Sequence, residues 1–283
     1  MPYGLYRGFD RRSYVLCKVR IRGAITQDNR RNVEDAVLHL GIEGDDFLRG
    51  VLLERYKRFF ADCQLDSGEL VTAHCPNTGS MKTLLAKNSP VWLKTHDNPK
   101  RKLPYTLTLL GVGDDDWALI NTALPNHIVA EGITAGISPS LLGYKSMRAE
   151  VPYGSRRSRI DLLLADRDSE FGTDQLCYVE VKNVTMASAS VSKRSDFPDS
   201  RTERGLKHLK ELSDMVAEGH RCIQFYLLGR TDCDSIGVAE EIDPKYAEGL
   251  RRAMASGVEV VCHKLKVASG EATLGDVCPF EFE

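Results

Sequence analysis

The hydrophobic pattern of this chain changes once, near Asn126, and the two patterns require two different kinds of domain. Over residues 50–121, short alternating apolar runs are separated by turn sequences such as Asp66-Ser67-Gly68. This spacing is typical of a small barrel or sandwich. After Asn126, strand-like runs alternate with helical runs, which is the pattern of an α/β domain. The sequence therefore predicts a β-domain followed by an α/β domain, an α+β chain overall.

The first domain contains five strand-like runs, which suggests an OB-like barrel. They cover residues 51–64, 69–74, 90–95, 104–112 and 117–121. The second domain is predicted to have helices over 126–135, 199–219 and 243–257 and strands over 158–164, 175–181, 222–228 and 258–267. Asp199 or Ser200 can cap the second of these helices, and Gly219 can end it. The resulting division is an N-terminal extension (1–48), the barrel (49–125), the α/β domain (126–268) and a C-terminal tail (269–283).

Composition excludes several classes of protein. The 283 residues are 42% apolar and 28% charged, which is typical of a folded chain. No run approaches the roughly 18 apolar residues that span a membrane, so we expect no membrane association. Eight cysteines occur without a CxxC pair and several lie in apolar runs, which indicates buried thiols in a reducing, intracellular compartment, most simply the cytoplasm. The basic N-terminal extension is either an organelle-targeting segment or an unstructured or misassigned one.

The most informative segment is the strand-like run that contains Glu180 and Lys182. Strand alternation places these two side chains on one face, opposite Val179 and Val181. Asp161 enters another apolar strand, and Glu150 lies eleven residues before it. If the two strands pair, Asp161 and Glu180 converge beside Lys182.

Converging carboxylates repel each other unless a hard cation lies between them. A Mg²⁺ or Mn²⁺ ion held by Asp161 and Glu180 would neutralise a phosphodiester and activate water, and Lys182 would position that water. This is the layout of a PD-(D/E)xK nuclease core, with Glu150 as a further acid. The alternative is structural: Glu180 and Lys182 form a solvated pair, Asp161 ends a strand and Glu150 lies on the surface.

Basic residues surround these acids, although the net charge of −2 makes no argument for a polyanionic partner. Clustered bases around an acidic pocket suit a phosphate-backbone ligand such as DNA, although a charged helix face is often simply solvated. The candidate nucleic-acid-binding residues are Lys100, Arg101 and Lys102 on a barrel loop, Arg156, Arg157 and Arg159 before Asp161, and Arg204, Lys207 and His208 on the 199–219 helix.

The sequence His74-Cys75-Pro76-Asn77-Thr78-Gly79 follows a strand of the barrel. Neighbouring strand residues point to opposite faces, which disfavours Cys75 and His74 as a catalytic pair. We expect a tight turn in which His74, Asn77, Thr78 and Gly79 bind a phosphate or brace the domain interface.

Several of these blocks resemble the sugar fermentation stimulation protein A family. The similarity runs in order from about Arg49 to Val267 and includes Arg55-Tyr56-Lys57-Arg58-Phe59, the 74–79 block, Asp97-Asn98-Pro99-Lys100-Arg101-Lys102, Ser158-Arg159-Ile160-Asp161, Tyr178-Val179-Glu180-Val181-Lys182-Asn183 and Thr202-Glu203-Arg204-Gly205. The resemblance implies an OB-like barrel joined to a PD-(D/E)xK restriction-endonuclease-like α/β domain with a mixed sheet. It also implies sequence-nonspecific DNA binding and a regulatory role in sugar (maltose) metabolism.

Four functions remain open at this point. The chain is a DNA-binding protein that retains the acids and lysine of a nuclease, an active Mg²⁺- or Mn²⁺-dependent phosphodiesterase, a pure binding and regulatory module whose acids only shape the site, or a small-molecule enzyme that uses Cys75 or His74.

Overall fold

The computed structural model describes residues 46–154, 158–167, 176–268 and 271–282. Most of the N-terminal extension predicted for residues 1–48 lies outside these residues, as do Arg156 and Arg157. Two domains follow each other along the described chain, in the predicted order.

The first domain is a closed barrel of five strands. A six-stranded sheet runs in the order β3-β2-β1-β4-β5-β6, and a further pairing between β3 and β5 closes it. This is the predicted OB-like barrel. Its strands are β1 (Phe47–Tyr56), β2 (Phe60–Leu65), β3 (Leu70–His74), β4 (Pro90–Thr95) and β5 (Tyr105–Gly111), and the short β6 (Trp117–Leu119) extends the sheet from β5.

One predicted barrel strand is wrong. Residues 51–64 form two strands, because the chain turns at Lys57 and Arg58, where φ is 47° and 66°. Neither residue is glycine or asparagine, which are the usual residues at positive φ, so the turn carries no clear signal in the sequence.

The second domain is built on a mixed six-stranded sheet in the order β15-β14-β12-β9-β8-β7. Its helix α1 packs on one face and helices α2 and α3 on the other. A small sheet of β10, β11, β13 and β16 lies beside it. The elements are α1 (Pro125–Thr134), a 3-10 turn (Pro139–Leu141), β7 (Tyr144–Tyr153), β8 (Ser158–Arg167), β9 (Cys177–Val184), β10 (Met186–Ala187), β11 (Arg194–Phe197), α2 (Glu203–Ala217), β12 (Arg221–Leu228), β13 (Ser235–Val238), α3 (Pro244–Ala255), β14 (Glu259–Ala268), β15 (Glu271–Val277) and β16 (Phe280–Glu281).

Two details of this domain differ from the sequence prediction. Helix α2 is capped by Thr202, whose hydroxyl accepts the Gly205 N–H at 3.0 Å, and not by Asp199 or Ser200. The segment 269–283, predicted as a tail, supplies β15 at the edge of the main sheet and β16 in the small one. Pairing with strands already formed stabilises these segments, and no pattern within them announces that partner.

The barrel and the sheet share a core. Leu109 and Leu119 of the barrel pack in the same apolar cluster as Ile128 of α1 and Val181 of β9. The Leu119 N–H donates to the Gly229 carbonyl at 2.7 Å, and Asn183 Nδ2 donates to the Leu119 carbonyl at 2.9 Å. The barrel is therefore bonded directly to the strand end that carries Lys182.

The seven cysteines of the described ranges are buried and unpaired, which agrees with the expected buried thiols. Among the helices described, none is long and apolar enough to cross a membrane.

Candidate functional site

Asp161 lies where strands β8 and β9 separate. It immediately precedes Leu162, whose pairing with Val179 is the last registered pair at this end of the two strands. Its Oδ2 accepts the Val181 N–H at 2.7 Å, and its Oδ1 accepts Asn126 Nδ2 at 2.8 Å. The carboxylate thus takes over a backbone bond of the strand ladder and ties the sheet to helix α1.

The alternation of side chains slips at this point of β8. Ile160 and Leu163 both pack on the face that carries α2, although they are three residues apart, whereas Leu162 packs on the α1 face. A regular strand would place residues two apart on one face. The irregularity at Asp161 places its side chain at the junction between strands.

Glu180 is the buried centre of the site, with 1% of its surface exposed. Its Oε1 accepts Lys182 Nζ at 2.6 Å and also contacts His208 Nδ1 from helix α2. Its Oε2 is buried and has no hydrogen-bond partner within the described ranges. Since strand alternation places Lys182 on the same face as Glu180, the pair forms as the sequence predicts.

The two carboxylates have opposite pKa shifts. Burial and the neighbouring Glu180 charge raise the pKa of Asp161. Burial also acts to raise the pKa of Glu180, but the Lys182 ammonium and the His208 contact outweigh it and lower that pKa. The surroundings therefore favour the ionised form of Glu180 and disfavour the ionised form of Asp161.

His208 is placed differently from the prediction. It is 3% exposed and contacts Glu180, so it does not share an exposed phosphate-binding face with Arg204 and Lys207. The correction has a simple cause: the buried face of α2 includes Gly205, His208 and Leu212, and His208 points inward with them.

Helix α2 carries a second buried acid, Glu211, in addition to Glu180 of β9, and the sequence pattern did not predict it. Glu211 lies one turn after His208 and is fully buried, and neither of its carboxylate oxygens has a hydrogen-bond partner among the described residues. A side chain on Gly154 would lie 3.3 Å from Glu211 Oε1, so the acid packs against the turn between β7 and β8. Its position beside the apolar Leu212 was the available signal.

Other buried polar atoms on the same face of the sheet also lack a hydrogen-bond partner among the residues that the structure describes. They are the Tyr153 hydroxyl, the Ser158 hydroxyl and Gln224 Oε1. Gln224 is registered with Glu180 across β12 and β9, and its Nε2 donates to the Glu180 carbonyl at 3.1 Å. The site therefore contains an excess of unsatisfied oxygen atoms beneath α2.

Glu150 lies opposite Asp161 across β7 and β8, because its neighbours Ala149 and Val151 are registered with Leu162 and Ile160. It is exposed on β7, where φ is 54°, and within the described residues no contact joins its carboxylate to Asp161 or Glu180. Its backbone carbonyl instead accepts Arg159 Nη1 at 2.8 Å. The structure thus assembles Asp161, Glu180 and Lys182, and the role of the exposed Glu150 as a further acid stays a prediction.

The carboxylates of Asp161 and Glu180 are the candidate ligands for a divalent cation. Within the described ranges, no group of three or more His, Cys, Asp or Glu side chains is arranged to hold a metal ion. Mg²⁺, however, commonly takes one or two carboxylates and completes its shell with water and substrate phosphate. Asp161 and the free Oε2 of Glu180 fit that type of site.

The remaining predicted nucleic-acid residues lie at the surface. Lys100, Arg101 and Lys102 are exposed on the turn between β4 and β5, where Asn98 Oδ1 accepts the Lys100 N–H at 3.0 Å. Arg204 is exposed in the first turn of α2, Lys207 is half-buried, and Arg159 is exposed on β8. Arg156 and Arg157 lie outside the described residues.

The 74–79 turn braces the two domains. Asn77 Oδ1 accepts the Gly79 N–H at 2.9 Å, as in a tight turn. A side chain on Gly79 would come within 2.1 Å of Asp199 Oδ2, so the turn packs directly against the segment that leads into α2. Cys75 is fully buried, and burial raises the pKa of its thiol, which disfavours a catalytic cysteine.

Comparisons with known sequences match both domains. Residues 123–271 match the sequence model of the sugar fermentation stimulation protein RE domain, and residues 53–120 match that of the SfsA N-terminal OB domain. The chain is 48% identical over 217 residues to a sugar fermentation stimulation protein homolog of Geotalea uraniireducens, covering 77% of this chain and 89% of the relative. It is 49% identical over 218 residues to the homolog of Rhodospirillum rubrum, covering 76% of this chain and 88% of the relative.

A solved structure shares the fold. The Pyrococcus furiosus SfsA protein, solved in complex with Ca²⁺, superposes with a TM-score of 0.72 at 22% identity. The match covers 84% of this chain and 97% of that protein. The order of a closed barrel and a mixed α/β sheet is therefore common to both.

Proposed function

This chain belongs to the sugar fermentation stimulation protein family, and we propose that it binds DNA without sequence preference and holds Mg²⁺ or Mn²⁺ in a nuclease-like centre. The observation that carries the proposal is the meeting of Asp161, Glu180 and Lys182 at one point of the mixed sheet. A role in regulating sugar metabolism would act through this binding to DNA.

The charges of the centre support a metal. Asp161 is buried beside a second carboxylate, and this burial and repulsion raise its pKa. A divalent cation between Asp161 and Glu180 Oε2 would remove that repulsion and satisfy the unpartnered oxygen. That the P. furiosus protein was solved in complex with Ca²⁺ is consistent with a divalent cation as the ligand.

The surface supports a polyanionic ligand. Arg204 is exposed at the start of the helix whose next turn delivers His208 to Glu180. The Lys100–Lys102 turn adds three further bases on the barrel. Lysine and arginine contacts to phosphates do not distinguish bases, so a DNA backbone held this way is bound without regard to sequence.

Phosphodiester cleavage is the second candidate function, and Lys182 favours it. Its ammonium donates to Glu180 at 2.6 Å, and its side chain is 17% exposed, so it lies between the buried acid and solvent. In that position Lys182 can orient a water and stabilise negative charge that develops on a phosphate. A bound divalent cation would supply Lewis-acid activation of the phosphate and water.

One experiment tests both functions on the same protein samples. Fluorescence anisotropy with labelled duplexes of unrelated sequences measures binding at rising salt, and nicking of a supercoiled plasmid with Mg²⁺ or Mn²⁺ measures cleavage. We expect similar affinities for all duplexes and a steep fall with salt. We expect Asp161→Ala and Lys182→Ala to keep DNA binding and to lower nicking by about a hundredfold or more.

Asp214→Ala is the matched control, because Asp214 is an exposed carboxylate on α2. It should bind and nick as the wild type does. An affinity that does not depend on salt would contradict the DNA-binding proposal. Salt-dependent binding without nicking under any metal condition would exclude cleavage and leave DNA binding standing.

A further inference from the structure

The turn between β1 and β2 presents an exposed aromatic side chain between basic ones. Lys57, Arg58 and Phe59 form this hairpin tip, all three are exposed, and 47% of the Phe59 surface is accessible. Lys57 and Arg58 both have positive φ, an unusual conformation for residues with side chains. The tip therefore keeps two charges and an aromatic ring in solvent at a conformational cost.

A brace behind the hairpin tip fixes its shape. Arg55 Nη2 donates to the carbonyls of Arg58 at 3.0 Å, Asn77 at 2.9 Å and Gly79 at 3.1 Å. The Phe59 carbonyl accepts the Cys75 N–H at 2.7 Å. One guanidinium thus joins the hairpin tip to the 74–79 turn, so the ring of Phe59 extends from a rigid base.

The hairpin tip and the Lys100–Lys102 turn lie along one connected part of the barrel. Phe60 is registered with His74 across β2 and β3, and His74 is registered with Thr106 across β3 and β5. Arg101 Nη2 in turn donates to Thr106 Oγ1 at 3.2 Å. Two basic loops therefore flank a single row of strand ends, with Phe59 at one side of it.

The brace also reaches the second domain. Gly79, whose carbonyl accepts Arg55, packs against Asp199, which precedes helix α2. Helix α2 carries the exposed Arg204 and, one turn on, His208 against Glu180. A ligand held at the hairpin tip is thus held by a part of the barrel that is packed against the segment leading into the candidate centre.

We propose that the hairpin tip binds single-stranded DNA, with Phe59 stacked on an unpaired base and Lys57 and Arg58 on the flanking phosphates. This inference rests on the proposed DNA binding and names its substrate class. An aromatic face stacks on any base, but only where the base is unpaired, and basic side chains beside it follow the backbone. The chain is accordingly suited to DNA that contains a single strand, such as a duplex with an unpaired end or flap.

The test measures anisotropy of the full-length protein with labelled oligo(dT) and, separately, with a blunt duplex. Stacking on one base is worth about 1–3 kcal/mol, so Phe59→Ala should weaken oligo(dT) binding by roughly five- to a hundredfold. Duplex affinity should change by less than about twofold, because paired bases offer no free face. Phe59→Trp should bind oligo(dT) as the wild type does. The oligonucleotide should also quench the tryptophan fluorescence of this variant more than that of the wild type, which contains Trp92 and Trp117.

Leu70→Ala is the control, since Leu70 is an exposed apolar residue on the same barrel with 69% of its surface accessible. It should bind both DNAs as the wild type does. Lys57→Asn with Arg58→Asn removes the charges with a residue that tolerates positive φ. This double variant should lower the salt slope for oligo(dT) by up to about 1.4, at about 0.7 for each phosphate contact.

The possible outcomes separate this inference from the proposed function. Wild-type protein that binds neither DNA would overturn both. Binding that is retained in full by Phe59→Ala would overturn the inference alone. Tighter wild-type binding to oligo(rU) than to oligo(dT), with the same loss in Phe59→Ala, would overturn the assignment to DNA and make RNA the ligand.

Discussion

The barrel and the mixed-sheet domain bury different kinds of residue. The barrel interior is an apolar cluster that includes Leu52, Leu93 and Leu107. The mixed-sheet domain buries Glu180 and Glu211 beside its own apolar clusters. Most of the buried polar atoms that lack a partner in the described ranges also lie in the mixed-sheet domain. In a closed barrel, the backbone N–H and C=O groups of the strands pair with one another. The mixed-sheet domain in addition buries charged side chains, and this burial costs free energy.

The two domains also differ in where they place their charged side chains. The barrel is well packed and presents its basic and aromatic side chains on loops, where they do not weaken the core. The mixed-sheet domain holds charged groups in its interior, where low dielectric strengthens the interaction among Glu180, Lys182 and His208. Substitutions of buried residues in the two domains should therefore change the free energy of unfolding in opposite directions.

The largest expected effect is a loss of stability in the barrel. Leu107→Ala removes a fully buried side chain from β5 and leaves a cavity, so we expect the free energy of unfolding to fall by about 2–5 kcal/mol. Urea unfolding followed by circular dichroism measures it. Leu85→Ala, at a barrel residue that is 39% exposed, should cost much less. Equal losses in the two variants would show that the barrel core is not tightly packed.

A smaller effect of the opposite sign is expected beneath α2. Glu211→Met replaces a buried carboxylate that has no hydrogen-bond partner in the part of the chain that the structure describes with an apolar side chain of similar size. We expect the free energy of unfolding to rise by about 1–3 kcal/mol, because the desolvation penalty of the acid disappears. Thermal unfolding without added metal measures this change.

Asp214→Met is the control on the exposed side of the same helix and should change stability by less than about 0.5 kcal/mol. Destabilisation of Glu211→Met would mean that Glu211 stabilises the folded protein through a favourable interaction in solution. The contrast between the two interiors would then fail.

The sequence predicted the centre better than its surroundings. Glu180 and Lys182 could be placed because strand alternation fixes which side chains share a face, and Asp161 because its strand was expected to pair with theirs. Glu211 and the inward position of His208 could not, because the spacing of Leu206, Leu209 and Leu212 defines an apolar stripe and leaves polar residues at its margin unassigned. Whether such a polar residue points inward depends on what it packs against, which is Glu180 for His208 and Gly154 for Glu211.

The same limit applied to the chain's turns and edges. The closed barrel followed from evenly spaced strand-like runs, yet the turn at Lys57 and Arg58 was missed because neither residue favours positive φ. The edge strand β15 was missed because it forms by pairing with β14, which lies before it in the chain. Local patterns identified elements, and long-range pairing decided the rest.

The most direct test of the account is isothermal titration of Mn²⁺ into the full-length protein, with Asp161→Ala and Asp214→Ala titrated alongside. We predict that the wild type and Asp214→Ala bind Mn²⁺ with the same affinity and that Asp161→Ala loses this binding, since the proposed metal centre includes the Asp161 carboxylate. Failure of the wild type to bind Mn²⁺, or unchanged binding in Asp161→Ala, would contradict a metal centre at Asp161 and Glu180.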